Sequence, residues 1–367
     1  MKETLIVTIN GSETNEELNK LLIKPSEILA SGGTVAFPTE TVYGLGASAL
    51  SEEAVNSIYM AKGRPSDNPL IVHIANVESL NLLVSEVKPY AKLLMAALWP
   101  GPITFIFSKK PEISSKVCGG LDTIAVRMPA HKVALELIRM SKKPIAAPSA
   151  NLSGKPSPTS GRAVIDDMSG RVDCIIVGEN SEVGLESTVL DVTGDIPMIL
   201  RPGKVTRERI VELVGACEMD VAISGDKIDD SGVAKSPGMK YKHYAPEADM
   251  EVFVGSSSDI VRSLYEKTRN ILDDPKTKVG IMTFLEEAMV IDNMLRGHDC
   301  LNGRYEWIDV GSSKEQTDYA GKLFENLRTF DALGCTHILA RGVDEIGLGV
   351  AIMNRLKKAS DGKVTRI

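Results

Sequence analysis

The feature that most constrains this chain is an interruption. Between about Cys217 and Pro246 the regular patterning stops, and Ser224-Gly-Asp-Lys-Ile-Asp-Asp-Ser-Gly-Val-Ala-Lys-Ser-Pro-Gly238 is rich in turn formers with almost no apolar periodicity. A length of 367 residues exceeds one ordinary domain. The interruption divides it into two foldable lengths. We expect a first domain over 1–215, a connecting segment over 216–246 and a second domain over 247–367.

Short β-branched runs alternate with helical patterns on both sides of the break. Upstream, strands are predicted at Thr34–Phe37, Leu70–Ile74, Ile103–Phe107, Ile124–Val126, Cys174–Val177, Thr188–Asp191 and Met198–Leu200. Helices are predicted near Glu52–Lys62, with Ser51 as N-cap, and near Glu86–Leu98 and Ala130–Met140. Downstream, strands fit Met250–Val254, Val279–Thr283, Glu306–Val310 and His337–Ala340. Helices fit Asp259–Thr268, Glu315–Phe330 and Val350–Ala359. The fold class is α/β: a large sheet in the first domain and a smaller parallel sheet with helices on its faces in the second.

An apolar share of 43% and a charged share of 25% match a soluble globular protein and exclude disorder. No run of 18 apolar residues is present to span a membrane, and Met1–Thr8 lacks the apolar core of a signal peptide. The five cysteines include no Cys-x-x-Cys pair, so they read as free thiols of a cytoplasmic protein and no metal site is expected from side chains. Net charge is −7, which argues against a broad basic face for nucleic acid. Residues 1–210 carry 22 Lys+Arg against 23 Asp+Glu, so a locally basic pocket is most readily built there.

Familiar catalytic signatures are missing: no G-x-x-x-x-G-K-[ST], no G-x-S-x-G and no H-E-x-x-H. Gly44-Leu-Gly-Ala-Ser-Ala49 matches G-x-G-x-x-A by letter, but Pro38–Tyr43 separates it from the preceding strand, which argues against a dinucleotide fingerprint. What remains is a series of polar, Gly/Pro-rich segments at strand ends, where ligands bind in an α/β sheet. They are Pro38–Gly46, Lys62–Pro69, Trp99–Thr104, Leu121–Pro129, Ala146–Gly154, Glu186–Leu190 and Leu200–Lys204. Lys62, Arg64, Arg127 and Arg201 lie in these segments; singly, each suits a structural ion pair. Together with Ser149, Asn151 and Ser187 they supply many donors and few competing carboxylates, as an anionic, phosphate-bearing ligand requires.

These segments, in this order, resemble the YrdC-domain family of threonylcarbamoyl-AMP synthases, and the hallmark Lys-x-Arg and Ser-x-Asn stand as Lys62-Gly-Arg64 and Ser149-Ala-Asn151. Ser236-Pro-Gly-Met-Lys-Tyr-Lys-His-Tyr-Ala-Pro246, followed by a second α/β domain, resembles the long two-domain form with a Rossmann-like C-terminal domain. The resemblance implies a nucleotidyltransferase making threonylcarbamoyl-adenylate from L-threonine, bicarbonate or CO2 and ATP, with Mg2+, for threonylcarbamoyladenosine modification of tRNA. It implies ATP contacts at Lys62, Arg64, Asn68, Thr123, Ser149, Arg201 and Tyr241, with Lys62, Arg64, Ser149 and Asn151 as the catalytic set. For threonine it implies Thr41, His73, Arg127, Ala147 and Ser187. Without that resemblance, His73 reads as a core histidine of an apolar strand. The connecting segment is implied to lie over the nucleotide as a lid, and a tRNA threonylcarbamoyl transferase is the implied downstream partner, with tRNA itself held weakly at most. Two alternatives stand beside this reading: a carbamoyl-phosphate-using YrdC domain, whose zinc-finger cysteines are missing here, and an RNA-binding module of the same fold.

Overall fold

Where β-branched residues run together, strands form, and where the apolar spacing shifts to three and four, helices cover them. The computed structural model describes residues 2–223, 244–297, 301, 303–312 and 315–367. Over these, 2–153 with 157–223 form one unit and 154–156 with 244–367 a second. Of the expected connecting segment over 216–246, residues 224–243, Tyr241 among them, lie outside the described residues.

The first unit runs β1 (Leu5–Thr8), α1 (Asn15–Ala30), β2 (Val35–Phe37), β3 (Gly44–Ser48), α2 (Glu52–Lys62), β4 (Ile71–His73), α3 (Pro89–Leu98), β5 (Ile103–Ser108), β6 (Thr123–Arg127) and α4 (Lys132–Ser141). It continues through β7 (Ile145–Ala146), α5 (Gly161–Met168), β8 (Cys174–Val177), β9 (Thr188–Asp191), β10 (Met198–Arg201), α6 (Arg207–Val214) and β11 (Glu218–Met219). These strands form one mixed sheet in the order β1-β8-β2-β3-β7-β4-β6-β5-β9-β10-β11. Helices α1 and α4 cover one part of it, where Leu18, Leu22, Leu29, Val133, Leu137 and Ile138 pack with Phe37, Ile145 and Ile176.

Local chemistry explains the boundaries. Helix α2 begins at Ser51, whose hydroxyl accepts from the Ala54 amide at 3.1 Å, and ends at left-handed Gly63. Helix α3 starts three residues later than its apolar spacing predicts, because Pro89 has no N–H to donate and sits naturally in the first turn. Helix α1 lies upstream of every predicted element. Thr14 and Glu17 close a capping box at its start, and Pro25 lies within it. The Gly44–Gly46 motif is strand β3, buried throughout and antiparallel to β2, so its glycines lie within the strand and not at the N-terminus of α2.

The second unit contains β12 (Asp249–Val254), α7 (Ser257–Leu272), β13 (Val279–Thr283), α8 (Leu285–Arg296), β14 (Tyr305–Asp309), α9 (Gln316–Ala332), β15 (His337–Arg341), α10 (Leu348–Ala359) and β16 (Val364–Arg366). Its strands pair in parallel throughout, in the order β14-β13-β15-β12-β16. Ile260 and Leu264 of α7 and Ile291 and Leu295 of α8 pack on Phe253, Ile281 and Leu339 of the sheet. Helix α8 and strand β16 are additions to the predicted elements.

A β-carbon at Gly46 would stand 2.7 Å from both Ile145 Cγ2 and Phe37 Cε1. Gly46→Ala therefore overpacks the β2–β3–β7 contact, and we expect a loss of about 1–3 kcal/mol. An unchanged melting temperature would show that this contact yields freely.

Candidate active site

The site is organised by two neighbouring strands. β4 and β6 are parallel, with Ile71 beside Ala125 and His73 beside Arg127. Alternation puts Thr123, Ala125 and Arg127 on one face of the sheet, and the register brings Ile71 and His73 to the same face. Thr123 opens β6 and Arg127 closes it, so the two stand about 13 Å apart at ~3.3 Å per residue. An apolar patch that includes Ile71, Ala125, Ile106 and Val189 lies between those ends.

At the start of β4 the chain is held by its own backbone oxygens. The Tyr59 hydroxyl donates to the Asn68 carbonyl at 3.0 Å, and Arg64 Nη2 approaches the carbonyls of Asn68 at 3.4 Å and Pro69 at 3.3 Å. Gly119, at φ +59°, permits this close passage, since a β-carbon there would meet the Pro69 nitrogen at 2.9 Å. The Asn68 side chain is wholly buried, yet neither its Oδ1 nor its Nδ2 has a hydrogen-bond partner among the described residues. An unsatisfied buried amide is costly, which makes Asn68 a candidate for ligand contact.

Beside it, buried Lys62 at the end of α2 donates through Nζ to the backbone oxygens of Ser149 and Asn151, both at 2.6 Å, and reaches Asn151 Oδ1 at 3.3 Å. The Ser149 hydroxyl donates to Asn151 Oδ1 at 2.5 Å. The Lys-x-Arg and Ser-x-Asn segments, remote in sequence, thus meet through the Lys62 ammonium. Ala147, just after β7, donates its amide to Ile71 O at 2.8 Å, which ties this loop to β4.

At the other end of the two strands Arg127 is buried. Its Nη1 donates to Thr41 Oγ1 at 2.8 Å and its Nε to Gly101 O at 3.4 Å. Nη2 stands 2.7 Å from Glu40 Oε1 but off the line of a hydrogen bond. The pair is ionic, and Nη2 retains open hydrogen-bonding capacity. Burial pushes the Glu40 carboxyl up, but the Arg127 charge and the Ala130 amide outweigh it and hold the group below its ordinary value. His73 is also buried, with Nδ1 unpartnered among the described residues. Burial first, and then the Arg127 charge, lower its pKa to about 3, so this imidazole is neutral.

Ser187 and Arg201 stand with the Arg127 end. Thr104, beside Arg127 in the β5–β6 register, shares a 2.7 Å hydrogen bond with the Ser187 hydroxyl. Arg201 Nη2 donates to that hydroxyl and Nε to Ser187 O, each at 3.1 Å. The predicted residues therefore gather as Lys62, Arg64, Asn68, Ser149 and Asn151 toward the start of β4, and Thr41, His73, Arg127, Ser187 and Arg201 toward its end. Thr123 lies with the first set by register, at the opening of β6. Glu40, Thr104 and His131 are additions that the sequence reading did not single out. Glu40 stood inside a quoted segment, but nothing in the linear pattern paired it with Arg127.

Each end of these two parallel strands thus carries a cluster of buried polar donors, an arrangement able to hold an anionic ligand in an α/β enzyme. Comparisons with known proteins identify the class. The family model described as "Telomere recombination" matches residues 27–203, and that described as "Threonylcarbamoyl-AMP synthase, C-terminal domain" matches residues 205–361. The threonylcarbamoyl-AMP synthase of Pyrococcus abyssi is 43% identical over 366 residues, covering 99% of this chain and 100% of that protein. That of Bacillus subtilis is 43% identical over 347 residues, 94% of each. The crystal structure of P. abyssi Sua5 complexed with L-threonine superposes with a TM-score of 0.88 at 41% identity, covering 99% of this chain and 100% of that one. The chain belongs to the threonylcarbamoyl-AMP synthase family. No helix among its described residues is long and apolar enough to cross a membrane.

The His73 environment has a measurable consequence. A histidine whose folded pKa lies below its unfolded value binds fewer protons folded, so it costs stability as pH falls from about 6.5 to about 3 and nothing above that window. We expect an imidazole titration by NMR to find His73 neutral at pH 5; a midpoint above that would mean the ring is solvated.

Proposed function

We propose that this chain makes L-threonylcarbamoyl-adenylate and pyrophosphate from L-threonine, bicarbonate or CO2, and ATP, as a nucleotidyltransferase serving threonylcarbamoyladenosine modification of tRNA. The observation that supports the site assignment is the pair of polar side-chain clusters at the two ends of β4 and β6, one built on Lys62 and Asn68, the other on Arg127 and His73. The threonine amine adds to CO2 to give a carbamate with loss of a proton. A carbamate oxygen then attacks the α-phosphorus of ATP, and the bond to the β-phosphate oxygen breaks to release pyrophosphate. The carbamate is the nucleophile, so no side chain need form a covalent bond.

In this proposal Arg127 takes the threonine carboxylate, because its planar fork keeps N–H directions open. Thr41, neutral His73, Ser187 and the Ala147 backbone surround the rest of the amino acid. Lys62, Arg64 and Arg201 stabilise charge that builds on the phosphates in the transition state, with Ser149 and Asn151 as neutral donors. Asn68 and Thr123 contact the nucleotide, and Asn68 gains the partners that its buried amide lacks. Mg2+ is taken in this proposal to enter with ATP as the substrate complex. The downstream partner is a tRNA threonylcarbamoyl transferase, and the site of action is the cytoplasm.

The deciding experiment is product formation from ATP with each co-substrate withheld in turn. Pyrophosphate release should require both threonine and bicarbonate, and serine should be a weak substrate, since one methyl is worth about 1–3 kcal/mol. Equal turnover without an amino acid would sink the assignment, and tRNA binding that ignores ATP would favour the RNA-module reading.

Lys62→Ala should reduce turnover by roughly 10²-fold or more. It should also lower the melting temperature, because the Ser149 and Asn151 carbonyls lose a buried donor. If turnover per folded molecule stayed intact, Lys62 would be a strut for the Ser-x-Asn loop alone.

A further inference from the structure

Glu40 has no part in the chemistry just described, yet it is only 8% exposed and charged. Its backbone is rigidly held. The Val183 amide donates to Glu40 O at 2.8 Å, the Thr39 hydroxyl donates to Val42 O at 2.6 Å, and the Ser181 hydroxyl donates to Thr39 O at 2.9 Å. This fixed turn delivers the carboxylate to 2.7 Å from Arg127 Nη2. The adjacent Thr41 hydroxyl accepts from Nη1 at 2.8 Å. Two consecutive residues of one turn therefore hold the two terminal nitrogens of one guanidinium, while Gly101 O holds its Nε.

We propose that Glu40 is a positioning residue for threonine binding: it fixes the Arg127 fork in place before substrate arrives and leaves the N–H directions of Nη2 open to the substrate carboxylate. This rests on the reading that the threonine carboxylate docks on Arg127. The charges are consistent with it. The two imidazoles nearby contribute little positive charge, since burial lowers the pKa of both His73 and His131. Arg127 and Glu40 then present one positive and one negative charge side by side. An amino acid carries its ammonium two bonds from the carboxylate carbon, so a pocket of this polarity matches a zwitterion better than a simple anion. The fork needs no reorientation on binding, which is the gain that a preorganised group provides.

The test compares Glu40→Gln, Glu40→Asp, Arg127→Lys and the double variant Glu40→Gln/Arg127→Lys in the full chain, measuring KM for threonine and for ATP, kcat and melting temperature. Glu40→Gln should raise the threonine KM roughly tenfold or more and leave the ATP KM within about twofold. Glu40→Asp should recover part of that loss, and the double variant should be no worse for threonine than Arg127→Lys alone. A lowered melting temperature alone would follow from any buried ion pair, so the split between the two KM values decides. Should Glu40→Gln not fold, Glu40→Asp must show the same selective rise. Equal changes in both KM values, no change in either, or single-variant losses that multiply in the double variant would overturn the proposal. Arg127→Lys without effect on threonine KM would instead sink the underlying reading. A selective Arg127→Lys effect beside silent Glu40 variants would sink only the role of Glu40.

Discussion

The parallel pairing of β4 with β6 is the constraint on which the site depends. Because His73 and Arg127 occupy the same level, and Asn68 precedes β4 where Thr123 opens β6, the strand rise alone sets the spacing of the two pockets. A slip of one residue would turn Arg127 to the opposite face and away from Thr41, Glu40 and His73 together. The neighbouring strands reinforce the register. β7 pairs His73 with Ile145, and β5 pairs Thr104 with Arg127, so each functional position is locked from more than one side. In the proposed reading, His73 and Arg127 inherit their positions from the backbone hydrogen bonds of the sheet.

Two different solutions to burying a cation appear in this frame. Lys62 is surrounded by carbonyl oxygens of the loop that follows β7, and in binding them it folds that loop over the end of α2. Arg127 is instead placed against a carboxylate, where burial alone would favour the protonated acid and the guanidinium charge reverses the balance. The first arrangement shapes a loop through neutral acceptors. The second builds a local dipole, and the neutral His73 ring beside it leaves that dipole undiluted.

Legibility in the sequence followed the side chains that speak for themselves. β8, β9 and β13 occupy the ranges predicted, because the β-branched residues of Cys174–Val177, Thr188–Asp191 and Val279–Thr283 suit a buried strand. β3 was not legible: Gly44-Leu-Gly-Ala-Ser48 lacks any β-branched residue, and only its position between β2 and β7 makes it a strand. Helix α1 was hidden because Pro25 reads as a breaker while its cost is carried by burial against the sheet. The donor-rich segments could be picked out by composition, and the family resemblance assigned them roles. Which of them touch, however, is a property of register. Nothing linear says that Lys62 reaches Asn151, that Ser187 lies between Thr104 and Arg201, or that an acid in a threonine-rich turn meets Arg127.

The last step concerns what the fold leaves unfinished. Along this one strip the Asn68 amide and the Nδ1 of His73 are buried without a hydrogen-bond partner among the described residues, and Nη2 of Arg127 has only its ionic contact with Glu40. Each such atom costs on the order of 1–3 kcal/mol, while a whole domain is stable by only about 5–15 kcal/mol. A chain selected for stability alone would have replaced them with apolar side chains of similar volume, as it did at Ile71, Ala125 and Val189 on the same face. Their retention at both ends of β4, with the apolar patch between, is what a two-ligand site requires. In the proposed reading the unsatisfied atoms are partners for the substrates, and binding recovers part of the stability that their burial costs.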